Sequence, residues 1–138
     1  VRCALAGEPI PVYGDGLHVR CWLHVEEHCR AIWWLVSYSL LRLTQGVTSV
    51  PTVGEVFHVA GEQEMTNLDL ARLVLRTLGR PEDQIRHIDD HNVRPGHDRR
   101  YALDCLKLRA TGFTVKQDLI MRLAQTVMWY KDHPEWTR

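Results

Sequence analysis

The chain has 138 residues, 45% hydrophobic and 25% charged, and its seventeen basic and seventeen acidic side chains cancel to a formal charge of zero. That length supports one domain with a real core, burying roughly two-thirds of the unfolded surface, and leaves no room for a second complete domain. A zero balance excludes a general nucleic-acid binder, whose affinity rests on a positive excess, although arginines can still converge locally on an anion.

Arg2 to Ala6 reads as a last helical turn stopped by Gly7. A chain that opens on Val1 in mid-element predicts a fragment or a processed product. "PIPVYGDG" is a short extended segment closed by a Gly14-Asp15-Gly16 turn, and "HVRCWLHV" alternates as a strand. From Val25, "VEEHCRAIWWLVSYSLLRL" has acids in its first turn and long apolar stripes, which predicts a helix. "TQGVTSVPTVG" is a loop, and the β-branched run "EVFHVAG" predicts a buried strand with His58 as a core histidine. "TNLDLARLVLRTLGRP" is the clearest helix, capped by Thr66 or Asn67 and stopped by Gly79. "QIRHID" predicts a further strand, Asp104 a cap for the short helix "CLKLRAT", and "VKQDLIMRLAQTVMWYKDH" a last amphipathic helix. The order β–α–β–α–β–α–α makes an α/β or α+β domain with helix dominating. Tryptophans 33, 34, 129 and 136 fall in helices at core-like positions.

Four scattered cysteines without a C-x-x-C pair read as reduced thiols of a cytoplasmic protein. The most apolar run, Ala31 to Leu41, is far short of the roughly 20 residues a bilayer needs, so no membrane partner is expected.

The densest polar stretch is "NVRPGHDRRYALD", where Pro95-Gly96 forces a reversal and aims Arg94 and His97 at one side. Guanidinium forks and imidazole suit a pyrophosphate, and the competing reading is a surface loop whose arginines pair with Asp89, Asp90, Asp98 and Asp104. Arg20 lies on the strand next to aromatic residues, a weak signal alone. "HVEEH" places His24 and His28 four apart, as zinc ligands require, but a third ligand is not indicated, so no metal is expected. No glycine-rich dinucleotide cradle, P-loop, Tyr-x-x-x-Lys pair or Gly-x-Ser-x-Gly elbow occurs.

Taken in order, "GEPIPVYGDGLHVRCWLHVEEHCRAI", "GEVFHVAGEQEMTNLDLARLVLRTLG", "RPGHDRRYALD" and "TVMWYKDHPEW" resemble the C-terminal part of the dTDP-glucose 4,6-dehydratases, members of the extended short-chain dehydrogenase/reductase superfamily. The resemblance spans nearly the whole chain, apart from the loop around Ser37 to Val53 and a small insertion near Asp90 to Val93. It implies an α/β fold, helix-rich with a few short strands. Residues 1–138 would form a single nucleotide-sugar-binding segment, with the Rossmann half and its NAD-binding domain missing. It also implies that Arg20 and Arg94 contact the phosphates of a dTDP-sugar, and His97 the diphosphate or ribose. Pro11 and Tyr13 would pack on the thymine, Gln63 would face the sugar, and Tyr130 would be a further ligand contact.

The family reaction converts dTDP-glucose to the 4-keto-6-deoxy sugar and water, using bound NAD. No NAD site or catalytic Tyr-Lys pair lies here, so the chain alone is expected to be inactive and only marginally stable without an NAD-binding half or a homodimer partner. Three positions depart from the family. Cys21 stands where "VRDW" has Asp, Gln63 where a "GGxNE"-like turn has Asn, and Leu106 where a Ser often occurs. These departures favour the alternative of a degenerate, non-catalytic binding or interaction module.

Overall fold

The computed structural model describes residues 1–47, 52, 54–89, 96–116 and 118–137. The chain forms α1 (Arg2–Ala6), β1 (Ile10–Tyr13), β2 (Val19–Cys21), α2 (Val25–Thr44), β3 (Glu64–Thr66), α3 (Asn67–Thr77), β4 (Ile85–Ile88), α4 (Leu106–Arg109) and α5 (Leu119–Asp132). Short 3-10 turns cover Glu82–Gln84 and Pro134–Thr137. The fold is α/β, helix-rich with few short strands.

Helix α3 shows why the local sequence suffices there. Thr66 Oγ1 accepts from Asp69 N–H at 3.0 Å and donates to Asp69 Oδ2 at 2.7 Å, satisfying an orphan first-turn donor. At the other end Gly79 takes φ 63° and Arg80 N–H reaches back to the Leu75 carbonyl at 2.9 Å. Val74 and Leu75 are buried on one face, and Leu78 packs beside them.

β1 and β4 pair in parallel, Ile10 with Ile85 through Tyr13 with Ile88. Ile10 and Ile85 join the core formed by Ala4, Val74, Leu75 and Val127, so α1, α3, α5 and this ribbon share one apolar centre. The turn after β1 is tight. Gly16 has φ 75°, and a Cβ there would meet Val12 Cγ1 at 2.7 Å and Leu68 Cβ at 2.8 Å, so only glycine lets α3 start against β1.

A second apolar cluster of Ala31, Leu108 and Phe113 fixes α2 to α4, with Leu35, Phe57, Val59 and Val115 packed against it. Glu27 is only 1% exposed at its head. Its Oε2 accepts from Arg30 Nη1 at 2.5 Å and from the Lys116 backbone N–H at 3.0 Å. Burial works to raise this carboxyl, but those two donors outweigh it and hold its pKa below the ordinary value.

Four expectations fail. "EVFHVAG" is not a strand: it has no ladder partner among the described residues, and His58 is exposed. A strand exists only through a neighbour, and β-branched composition cannot supply one. The alternating run from His18 shortens to Val19–Cys21, because its partner β3 offers only three residues, Glu64–Thr66. β3 (Glu64–Thr66) was not foreseen, only its last residue, Thr66, being read as a cap for α3. Trp33, Trp34, Trp129 and Trp136 all lie exposed: the first three stand on α2 and α5 and Trp136 in the Pro134–Thr137 turn, and none is enclosed by either apolar cluster. Among the described residues no helix is long and apolar enough to cross a membrane.

Candidate functional site

Antiparallel pairing of β2 with β3 sets Arg20 opposite Met65 and Cys21 opposite Glu64. The segment after Gly96 runs along the other edge of β2. Val19 N–H donates to the Arg99 carbonyl at 2.8 Å and Tyr101 N–H to the Val19 carbonyl at 3.3 Å. Two ion pairs fasten this segment. Arg99 grips Asp15 with both guanidinium nitrogens at 2.7 Å, and Arg100 binds Glu64 at 3.0 and 2.5 Å. Such forked pairs fix direction as well as charge. The Arg99 hydrogen bond, helped by the Leu17 backbone N–H, draws the Asp15 pKa from 3.8 down to about 2. Glu64 is likewise lowered, first by its hydrogen bond to Arg100.

This clamp brings Arg20 and His97 together across 77 positions of sequence. Arg20 Nη2 lies 3.1 Å from His97 Nε2 and donates to the Asp98 carbonyl at 3.2 Å. Its guanidinium carbon sits 4.1 Å from the centre of the Tyr101 ring, and Nη1 donates to its neighbour's carbonyl, Val19 O, at 2.6 Å. An arginine nitrogen only donates, so the bond to His97 makes Nε2 the acceptor and leaves the neutral ring's proton on Nδ1. Buried His18 packs its ring 5.0 Å from that of His97. The result is a half-buried cation resting on an aromatic face with an imidazole at its edge. Its guanidinium plane is oriented before any anion arrives, which lowers the ordering cost of binding one.

The other expected residues stand on β1, just before β3, and on α5. Pro11 is exposed on β1 and lines a cavity of about 590 Å³ with Pro9, Arg86 and Ile88. Tyr13 closes β1, half-buried, beside Ile88 of β4. Gln63 Oε1 accepts from the Leu119 backbone N–H at 3.1 Å, so its side chain helps cap α5. Tyr130 lies in a separate cavity of about 800 Å³ between the start of α2 and α5, where Arg122 pairs with Glu26 at 2.6 Å. Arg94 falls outside the described residues. Of the "HVEEH" residues, His24 accepts from Glu26 N–H through Nδ1 as the α2 cap, and Glu27 is held by Arg30 and Lys116.

Cys21 puts its thiol 3.5 Å from the Tyr101 carbonyl and 3.8 Å from Glu64 Oε1, bridging the two edges of the clamp. Sequence reasoning missed His18, Tyr101, and the Asp15–Arg99 and Glu64–Arg100 pairs. Asp89, Asp90, Asp98 and Asp104 were the expected partners of the loop arginines, whereas Arg99 and Arg100 pair with carboxylates 84 and 36 positions away. No local signal carries such pairings.

A family model described as GDP-mannose 4,6 dehydratase matches residues 1–124. The chain is 42% identical over 131 residues to the dTDP-glucose 4,6-dehydratase of Streptomyces niveus, covering 94% of this chain and 34% of that protein. It is also 42% identical to that of Streptomyces antibioticus, covering 96% and 35%. The crystal structure of DesIV, a dTDP-glucose 4,6-dehydratase from Streptomyces venezuelae solved with NAD bound, superimposes with a TM-score of 0.77 at 35% identity, covering 97% of this chain and 37% of that one. The chain thus spans about a third of the length of the curated relatives it matches. Matched across residues 1–124 and joined by those relatives, this chain belongs to the GDP-mannose 4,6 dehydratase family, as a dTDP-glucose 4,6-dehydratase-like member corresponding to their C-terminal part.

Proposed function

We propose that this chain is the substrate-binding segment of a dTDP-glucose 4,6-dehydratase-like protein, and that it grips the diphosphate of a dTDP-sugar. The parent reaction takes dTDP-glucose to its 4-keto-6-deoxy product and water. The observation that carries the reading is the meeting of Arg20 and His97 on the face of Tyr101. A phosphate oxygen entering there replaces the imidazole as the acceptor for Arg20, and His97 then turns its own N–H to the same diphosphate. Arg94, two residues before Gly96, adds a second fork. Pro11 and Tyr13 carry the base, Gln63 faces the sugar, and Tyr130 is a further ligand contact. Residues 1–138 act as a single nucleotide-sugar-binding unit of a cytoplasmic protein.

The residues present do not fit NAD. A dinucleotide cradle needs clustered glycines at a strand-to-helix turn. Here the glycine turn after β1 leads into strand β2 rather than a helix, and Gly16 in it is packed against Val12 and Leu68. Binding and orientation of the nucleotide sugar are therefore the whole contribution of this chain, and hydride transfer belongs to an NAD-binding half.

Calorimetric titration of the chain with dTDP, with UDP alongside, tests the reading. Saturable binding is expected, with Arg20→Ala weakening it at least tenfold, about 1.4 kcal/mol. A chain that melts cooperatively yet takes up no dTDP would sink the proposal. One observation favours the rival, a non-catalytic interaction module: Gln63 spends its carbonyl oxygen on the start of α5. That rival predicts the folded, dTDP-blind outcome.

A further inference from the structure

The face of the β1–β4 ribbon that carries Pro11 offers more than an apolar wall. Residues opposed in a parallel ladder share a face, so Pro11 stands beside Arg86 and Tyr13 beside Ile88. Pro9, Pro11, Arg86 and Ile88 line one open cavity together with Glu8 and Asp89. Two proline rings and an isoleucine make a flat apolar surface. Two carboxylates against one guanidinium deny the cavity the positive excess that a phosphate needs. A neutral planar ring suits it better.

Arg86 is exposed, and its guanidinium has no hydrogen bond or ion pair to any described residue. By contrast its neighbour His87 is occupied, with Nδ1 2.8 Å from the Gly14 carbonyl. The placement also fits the diphosphate site. β1 and β4 end together at Tyr13 and Ile88, and the turn that follows β1 is tied by Asp15 to Arg99, two residues beyond His97. Ligands of parallel α/β ribbons lie at these carboxyl ends. A base on Pro11 therefore lies on the side from which its diphosphate can run toward Arg20.

We propose that Arg86 reads the edge of the nucleobase: its guanidinium donates to the O4 carbonyl of a pyrimidine stacked on Pro11, so the site selects 4-keto over 4-amino pyrimidines. The proposal rests on the dTDP-sugar reading above and adds to it a specificity-determining residue. The chemistry is asymmetric because arginine has donors only. Thymine and uracil present the O4 acceptor, whereas cytosine presents an N4 amino donor at the same position, so a guanidinium aimed at that position meets a donor instead of an acceptor.

The test compares dTDP, UDP and CDP with inorganic pyrophosphate, on wild type and on Arg86→Ala, by calorimetric titration. The exposed site makes a folding failure of this variant unexpected, and a thermal melt of each protein checks it. In wild type dTDP and UDP bind about tenfold more tightly than CDP, the scale of one hydrogen bond to a charged group. In the variant that preference collapses towards unity while pyrophosphate binding stays unchanged. A preference that survives Arg86→Ala overturns the proposal and leaves the diphosphate site standing. An equal loss for all four ligands also overturns it, since Arg86 would then serve the phosphates. Absence of binding by any ligand to wild type removes the diphosphate reading itself, and this inference with it.

Discussion

Two regions of the molecule use apolar side chains in opposite ways. Around Leu75, which has no exposed surface, α1, α3, α5 and the β1–β4 ribbon close on one another, and α3 leaves no large apolar side chain exposed. Helix α2 buries Ala31 and Leu35 against Phe113 and Leu108, yet Ile32, Trp33, Val36, Leu40 and Leu43 lie exposed along its other side. The first region encloses its centre at Leu75. The second has apolar residues on two faces and a cover for only one among the described residues. The same hydrophobic content therefore produces a core where elements surround it, and exposed surface where they do not.

The contrast breaks most decisively at Leu75. Leu75→Ala removes a side chain enclosed by Ala4, Val74 and Val127 and leaves a cavity that helices on several sides cannot collapse into. A loss of about 3 kcal/mol is expected. Urea unfolding with an unchanged slope reads it directly. A loss below about 1 kcal/mol would mean this region is loosely packed, and the distinction between the two regions would disappear.

How much of this was legible follows the same division. α3 could be read from Thr66, Gly79 and the spacing of its leucines, since its caps lie within its own sequence. α2 and α5 were also legible as apolar-periodic runs, whereas their caps, His24 and Asp118, are seen only in the structure. The strand expected at "EVFHVAG" depended on a neighbour that composition cannot report, and the exposure of Trp33 depended on what α2 packs against. In the candidate site, His97 was legible as a residue type suited to a diphosphate, and Arg20 only through the family resemblance. Their contact was not, because it is set by Asp15 holding Arg99 and Glu64 holding Arg100 from distant positions.

The Asp15–Arg99 pair gives a smaller and more selective effect, tied to acidity. The folded carboxyl titrates at about 2 against an ordinary 3.8. A depressed carboxyl stabilises the fold fully above its unfolded value, and the contribution is lost as pH falls from 3.8 toward 2. Asp15→Asn should therefore melt below wild type at pH 6, with the gap closing as the pH approaches 2. A gap independent of pH would mean the pair acts by packing alone, and the clamp around Arg20 would owe little to charge.

The smallest effect is expected on the open face of α2. Trp33 is 72% exposed, and lysine is the better helix former, so Trp33→Lys removes little burial and adds propensity. The change in unfolding free energy should stay within about 0.5 kcal/mol, against the loss at Leu75. Solubility should rise, because a charge then interrupts the apolar stripe formed with Ile32, Val36 and Leu40. Were Trp33→Lys instead to cost as much as Leu75→Ala, the indole would be covered in solution. The face of α2 would then be a second core completed by another surface, and the two regions would obey one rule.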